Sequence, residues 1–99
     1  MIQAQVYIDK DELKGTQPLY EYILRFLIEH KIEGATVFHG KLGYGASRYL
    51  NRPHDLFSFD KIPLLINFID EDEKVKTALT ALRKVYSGGF IVTNHVEKW

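Results

Sequence analysis

Cysteine is absent from the 99-residue chain, methionine and tryptophan occur once each, and proline occurs only three times. Without cysteine there is no disulfide framework, no thiolate nucleophile and no cysteine-based zinc site. Neither sign of charge is in excess, because thirteen Lys and Arg stand against thirteen Asp and Glu, a formal net charge of zero. That balance argues against a protein whose main work is neutralising nucleic-acid phosphates or a membrane surface, so any anion site has to be local. No run approaches the ~20 apolar residues that cross a bilayer, and Met1-Ile2-Gln3-Ala4-Gln5 has neither the basic stretch nor the apolar run of a secretory signal. The expectation is a cytoplasmic protein. What remains is the mixture of an ordinary globule, 45% apolar and 26% charged, in a single domain over 1–99 with one modest core. At this size a subunit of an oligomer is as plausible as a monomer.

Ile2, Ala4, Val6 and Ile8 alternate with Gln3, Gln5, Tyr7 and Asp9, the period of a strand with one buried face. Lys10 to Gln17 is polar and reads as a connection, and Pro18 is expected in the first turn of a helix running to about His30. Glu21, Arg25 and Glu29 fall on one narrow stripe of that helix, where they are expected to pair. The apolar remainder, from Tyr22 through Leu19, Ile23, Leu27 and Leu24 to Ile28, spans an arc of about 240°, wider than covering one sheet face requires, which suggests a subunit contact. Ala35 to His39 is a second strand, broken by Gly40, Gly43 and Gly45. Gly43 to Asp60 has no period of either kind. Ile62 to Ile69 is apolar on both faces apart from Asn67 and predicts a central strand covered on both sides, with Pro63 at its start. Asp70 and Glu73 have the spacing of a capping box opening a helix to about Tyr86, and Asp70 to Glu73 reads as a solvated helix start. Ser87-Gly88-Gly89 turns the chain into a fourth strand, Phe90 to Val96. The order βαββαβ is that of an α+β, ferredoxin-like sandwich with two helices on one face of a four-stranded antiparallel sheet. Such a fold hosts many unrelated activities.

Lys41, Arg48 and Arg52 make the stretch from Gly34 to His54 a basic patch with no Asp or Glu. Glycines beside it permit close approach and positive φ, so backbone N–H groups and the guanidinium groups together suit a phosphate or carboxylate. The Walker and dinucleotide-binding patterns are both absent. Tyr44, Tyr49, Phe57 and Phe59 concentrate aromatic rings in the long loop, as in a segment built to pack or dock. The histidines suggest no metal site: His30 suits a helix C-terminus, while His39, His54 and His95 lack ligand spacing.

The string from Gly34 to Gly45, GATVFHGKLGYG, closely resembles the second strand of a PII-like family known as domain-of-unknown-function family 190. Pro18-Leu19-Tyr20-Glu21 at the first helix, and Pro63 followed by the apolar strand ending in Asp70, match the same family in the same order, so the resemblance runs from about Gly15 to Val96. It implies a homotrimeric signalling protein with sheets facing the three-fold axis, small effectors in the clefts between subunits, and a loop that docks on a target protein. Carried onto this chain, the effector-binding positions are Lys41, Gly43, Tyr44, Gly45, Arg48, Arg52, Gly88 and Gly89. The partner loop runs from Ala46 to Phe59, with Tyr49, His54 and Phe57 at its contacts. No catalytic residue, metal, cofactor or nucleic-acid partner is implied. Phe90 stands where true PII proteins have a phosphate-binding Lys, His39 stands where this family usually has Arg, and Lys98 alone represents the basic C-terminal residues. These departures leave a smaller anion or a nucleotide monophosphate as open as ATP.

The alternative is a small enzyme on the same fold. An acylphosphatase-like enzyme needs a glycine-rich loop with Arg after the first strand, where this chain has Asp9-Lys10-Asp11-Glu12, which would repel a phosphate. An RNA-binding module would carry aromatic residues where the third strand has Leu64-Leu65-Ile66-Asn67.

Overall fold

A computed structural model describes residues 1–41 and 63–99. Its elements are β1 (Ile2–Asp9), β2 (Leu13–Lys14), β3 (Gln17–Pro18), α1 (Leu19–Glu29), β4 (Ala35–His39), β5 (Pro63–Asp70), α2 (Asp72–Val85) and β6 (Phe90–His95). The large sheet has the order β4-β5-β1-β6 and is antiparallel at every pairing, with both helices on one face, as the ferredoxin-like reading requires.

Alternation in β1 puts Ile2, Ala4, Val6 and Ile8 under the helices, and the β5 register adds Leu64, Ile66 and Phe68 beside them. Leu19, Ile23 and Leu27 of α1 and Val75, Ala78 and Leu82 of α2 complete the core, each at most 1% exposed. Leu24, Phe26, Tyr20 and Tyr22 pack partly against it and Ile28 stays exposed, so the wide arc of α1 is only partly used within one chain.

Four expectations need correction. β5 is covered on one face only, because Leu65, Asn67 and Ile69 lie on the side away from the helices and Ile69 is exposed. The polar connection before α1 is a two-stranded ribbon, β2 against β3, in which Gly15 at φ +64° supplies the left-handed residue of a two-residue hairpin turn, and Pro18 closes β3 as the N-cap of α1. Glu21, Arg25 and Glu29 form no ion pair among the described residues, since long side chains in water gain about 0.3–0.5 kcal/mol at most from pairing along a helix. The capping box is not made: the N-cap of α2 is Glu71 without a side-chain bond, and Asp70 is buried instead.

Asp70 is a junction. Its carboxylate accepts hydrogen bonds from the Glu33 backbone N–H at 3.0 Å and the Glu71 N–H at 2.8 Å, and Lys74 lies 3.1 Å away. Burial alone would raise its pKa, but these donors outweigh it and hold the carboxyl below its usual range. The Glu33 bond fixes the connection from α1 to β4. That connection begins with a Schellman closure, Lys31 at φ 67° donating to the Ile28 carbonyl and Ile32 to that of Leu27, with Ile32 buried over the core.

Candidate effector site

Of the effector positions read from the sequence, Lys41, Gly88 and Gly89 fall within the described residues, whereas Gly43, Tyr44, Gly45, Arg48 and Arg52 lie outside them, as do Tyr49, His54 and Phe57 and the Ala46 to Phe59 loop. Lys41 is exposed just beyond β4. Between them Gly40 donates to the Pro63 carbonyl at 2.8 Å, closing β4 onto the start of β5. A side chain there would put Cβ 2.6 Å from Pro63 Cγ, so close approach, not positive φ, is what demands glycine at 40.

Gly88 and Gly89 lead into β6 at the opposite edge. Gly89 has φ +66° and its backbone lies against Tyr7, a Cβ being 2.9 Å from the Tyr7 carbonyl oxygen. Arg83, in the last turn of α2, donates to the Gly88 carbonyl at 2.6 Å and the Tyr86 carbonyl at 3.3 Å. The Tyr86 hydroxyl donates to Glu12 Oε2 at 2.9 Å, and burial together with Glu12 raises the phenol well above its ordinary pKa. Lys14 from the small ribbon bonds the Val85 carbonyl. The turn is therefore held on both sides, with a guanidinium beside it and the Glu12 carboxylate behind Tyr86. Sequence reasoning missed Arg83. The signal was present: a basic residue in the last helical turn, where carbonyls lack partners, five positions before a Gly-Gly turn.

The two turns lie at the same end of the sheet but on opposite edge strands. Three inter-strand steps separate β4 from β6, about 14 Å at the usual spacing, too far for both to hold one phosphate group. Between them the open face carries one cross-strand row, Phe90, Tyr7, Leu65 and Phe38, fixed by the pairings Tyr7 with Phe90, Tyr7 with Leu65, and Phe38 with Leu65. Phe90 is 65%, Phe38 53% and Tyr7 42% exposed, and the Tyr7 and Phe90 rings sit 6.1 Å apart, tilted by 46°. Beyond this row come Gln5 and Asn67, then Gln3, whose amide donates to Asn67 Oδ1 at 2.8 Å. The face is thus aromatic at the end that carries the two glycine turns and polar towards the middle.

His30 caps α1, its ring stacked on Phe26 with Nδ1 2.9 Å from the Phe26 carbonyl oxygen. His39 and His95 lie on β4 and β6. Among the described residues no three His, Cys, Asp or Glu side chains are grouped to hold a metal ion, and no helix is long and apolar enough to cross a membrane.

The fold is a ferredoxin-like sandwich whose open sheet face carries exposed aromatic residues. The profile of the DUF190 family, described as an uncharacterized ACR (COG1993), matches residues 1–98, and the chain belongs to that family. A UPF0166 protein of Aquifex aeolicus is 34% identical over 85 residues, covering 85% of this chain and 80% of the relative. A UPF0166 protein of Methanocaldococcus jannaschii is 30% identical over 105 residues, covering 99% of this chain and 95% of that one. Among solved structures, CPII, a nitrogen regulatory PII-like protein from Thiomonas intermedia K12 bound to ADP, AMP and bicarbonate, superposes with a TM-score of 0.68 at 15% identity, over 94% of this chain and 82% of CPII.

Proposed function

We propose that the chain is a regulatory, non-catalytic subunit of a homotrimer that binds a small anionic effector of the nucleotide class in clefts between copies. One observation carries the reading: the basic edge at Lys41 and the Gly88-Gly89 turn with Arg83 sit on opposite edges of one sheet. A single chain does not bring them to one phosphate, whereas a closed ring can set one edge of each copy against the other edge of the next. The open face supports the same association, since Phe38, Phe90, Tyr7, Ile69 and Val92 form an exposed patch of the kind that marks interfaces. The ligands in CPII, ADP and AMP, suggest the effector class, and the exposed rings beside the turns suit a purine base. In this reading Lys41, Gly43, Tyr44, Gly45, Arg48 and Arg52 from one copy and Gly88 and Gly89 from the next contact the effector. The loop from Ala46 to Phe59 then carries effector state to a target protein through Tyr49, His54 and Phe57.

The test is a melting panel of ATP, ADP, AMP, a cyclic dinucleotide and bicarbonate. A ligand that binds only the folded form adds about 2.7 kcal/mol at a hundredfold excess over its Kd. Arg48→Glu should weaken the responding ligand at least tenfold with little change in the unliganded melt, because a charge-assisted hydrogen bond is worth roughly 1.5–3 kcal/mol. A flat panel, or steady turnover of the ligand that binds, would refute the proposal.

A further inference from the structure

The helix-covered side of the sheet holds a cavity that the effector reading does not use. Where β1 ends, Ile8, Leu64 and His39 form the last cross-strand row facing α1. Tyr20 and Leu24, one turn apart on α1, roof this end without closing onto the edge strand. Between them and Val37, His39, Leu64 and Lys10 lies a cavity of about 270 Å³, open to solvent.

Its lining specifies a chemistry. Leu24, Val37, Leu64 and the Tyr20 ring present apolar walls that favour an apolar body. Lys10 and His39 stand exposed at the mouth, and neither side chain has a hydrogen-bond or ion-pair partner among the described residues. Among the described residues no acidic side chain lines the cavity. An apolar floor under a basic rim complements a molecule with an apolar body and one anionic end. The volume lies just under the ~300–1,000 Å³ of pockets for drug-sized ligands, which limits the body to a short chain or a single ring.

We infer that this cavity is a second ligand site, for a small amphipathic carboxylate whose apolar part lies against Leu24, Val37 and Leu64 and whose carboxylate meets Lys10 and His39. Side chains alternate along a strand, so Val37, His39 and Leu64 face the helices while Phe38 and Leu65 face the open side, and the cavity lies on the opposite face of the sheet from the aromatic row. The inference does not depend on the effector reading.

Octanoate titrated into the full chain by isothermal calorimetry tests it, with octylamine and octanol as controls of matched length and different charge. Octanoate is expected to bind and octylamine not to, with octanol weaker than octanoate. Lys10→Glu, an exposed substitution that spares the core, should lower octanoate affinity at least tenfold. Leu24→Trp should block the cavity from its roof, with circular dichroism checking that the fold survives. If Leu24→Trp unfolds the chain, Lys10→Glu and the octylamine control still decide the question. AMP should not displace octanoate. Absence of octanoate binding, equal binding of octylamine, indifference to Lys10→Glu, or competitive displacement by AMP would each overturn the assignment.

Discussion

Replacing Asp70 by alanine should be among the most damaging single changes outside the apolar core. The carboxylate is 5% exposed and satisfies two backbone N–H groups, those of Glu33 and Glu71, besides pairing with Lys74. Hydrogen bonds to a charged acceptor contribute about 1.5–3 kcal/mol each. Glu33 and Glu71 are themselves exposed, so water can reach the freed donors, and the lower end of that range applies. The Lys74 pair adds no more than about 1 kcal/mol, because the lysine is partly exposed. Asp70→Ala should therefore cost about 3 kcal/mol, a large share of the roughly 5–15 kcal/mol expected for a chain of this length. Asp70→Asn keeps one acceptor oxygen and turns an amide N–H₂ towards the other donor, so it should cost about 1.5–2 kcal/mol. Lys74→Met should cost about 1 kcal/mol or less. Urea unfolding followed by far-ultraviolet circular dichroism, at one protein concentration for all variants, measures the series. The order alanine, asparagine, methionine is essential to the reasoning. A cost below about 1 kcal/mol for Asp70→Ala, or a Lys74→Met cost equal to it, would show that the two backbone bonds do not hold the α1–β4 connection.

The same carboxylate predicts an acid response: its pKa is lowered on folding, so its stabilisation is complete above its unfolded value and disappears as pH falls through the folded one. Urea midpoints measured downward from about pH 5 should fall more steeply in the parent chain than in Asp70→Asn, and parallel curves would count against this. Gly40→Ala forces Cβ onto the Pro63 ring and should cost about 1–3 kcal/mol, read as a lower melting temperature. Tyr86→Phe removes the bond to Glu12 and should cost about 1 kcal/mol, with an unchanged urea m-value. Arg83→Met frees the Gly88 carbonyl and should weaken binding of the responding nucleotide, whereas unchanged affinity would confine Arg83 to holding the turn.

Local chemistry was legible where it repeats. The alternation of β1 foretold the buried set Ile2, Ala4, Val6 and Ile8. The β2–β3 ribbon was not legible, because strands of two residues are too short to show a period, and Gly15 was the only mark of its turn. β5 was misread as covered on both faces. Leu65 and Ile69 are apolar because they belong to an open sheet face, and composition does not distinguish a face packed within the chain from one left exposed. Asp70 was read as a helix-start residue because Glu73 follows it at capping-box spacing. One of its partners, the Glu33 N–H, comes from the α1–β4 connection far away in the chain, which no local pattern encodes. At the candidate site the glycines at 40, 88 and 89 were legible as positions of backbone constraint. The opposition of Lys41 and Gly88-Gly89 across the sheet was not, since strand order arises only once the chain has folded.

Native mass spectrometry of the full chain with AMP and ADP tests the inter-subunit site most directly, because one spectrum reports both the number of copies and the number of nucleotides. The expected result is a trimer that takes up as many as three nucleotides, with none on free monomer and uptake reduced in Lys41→Glu. Nucleotide bound to monomer, or a trimer that takes up none, would contradict it.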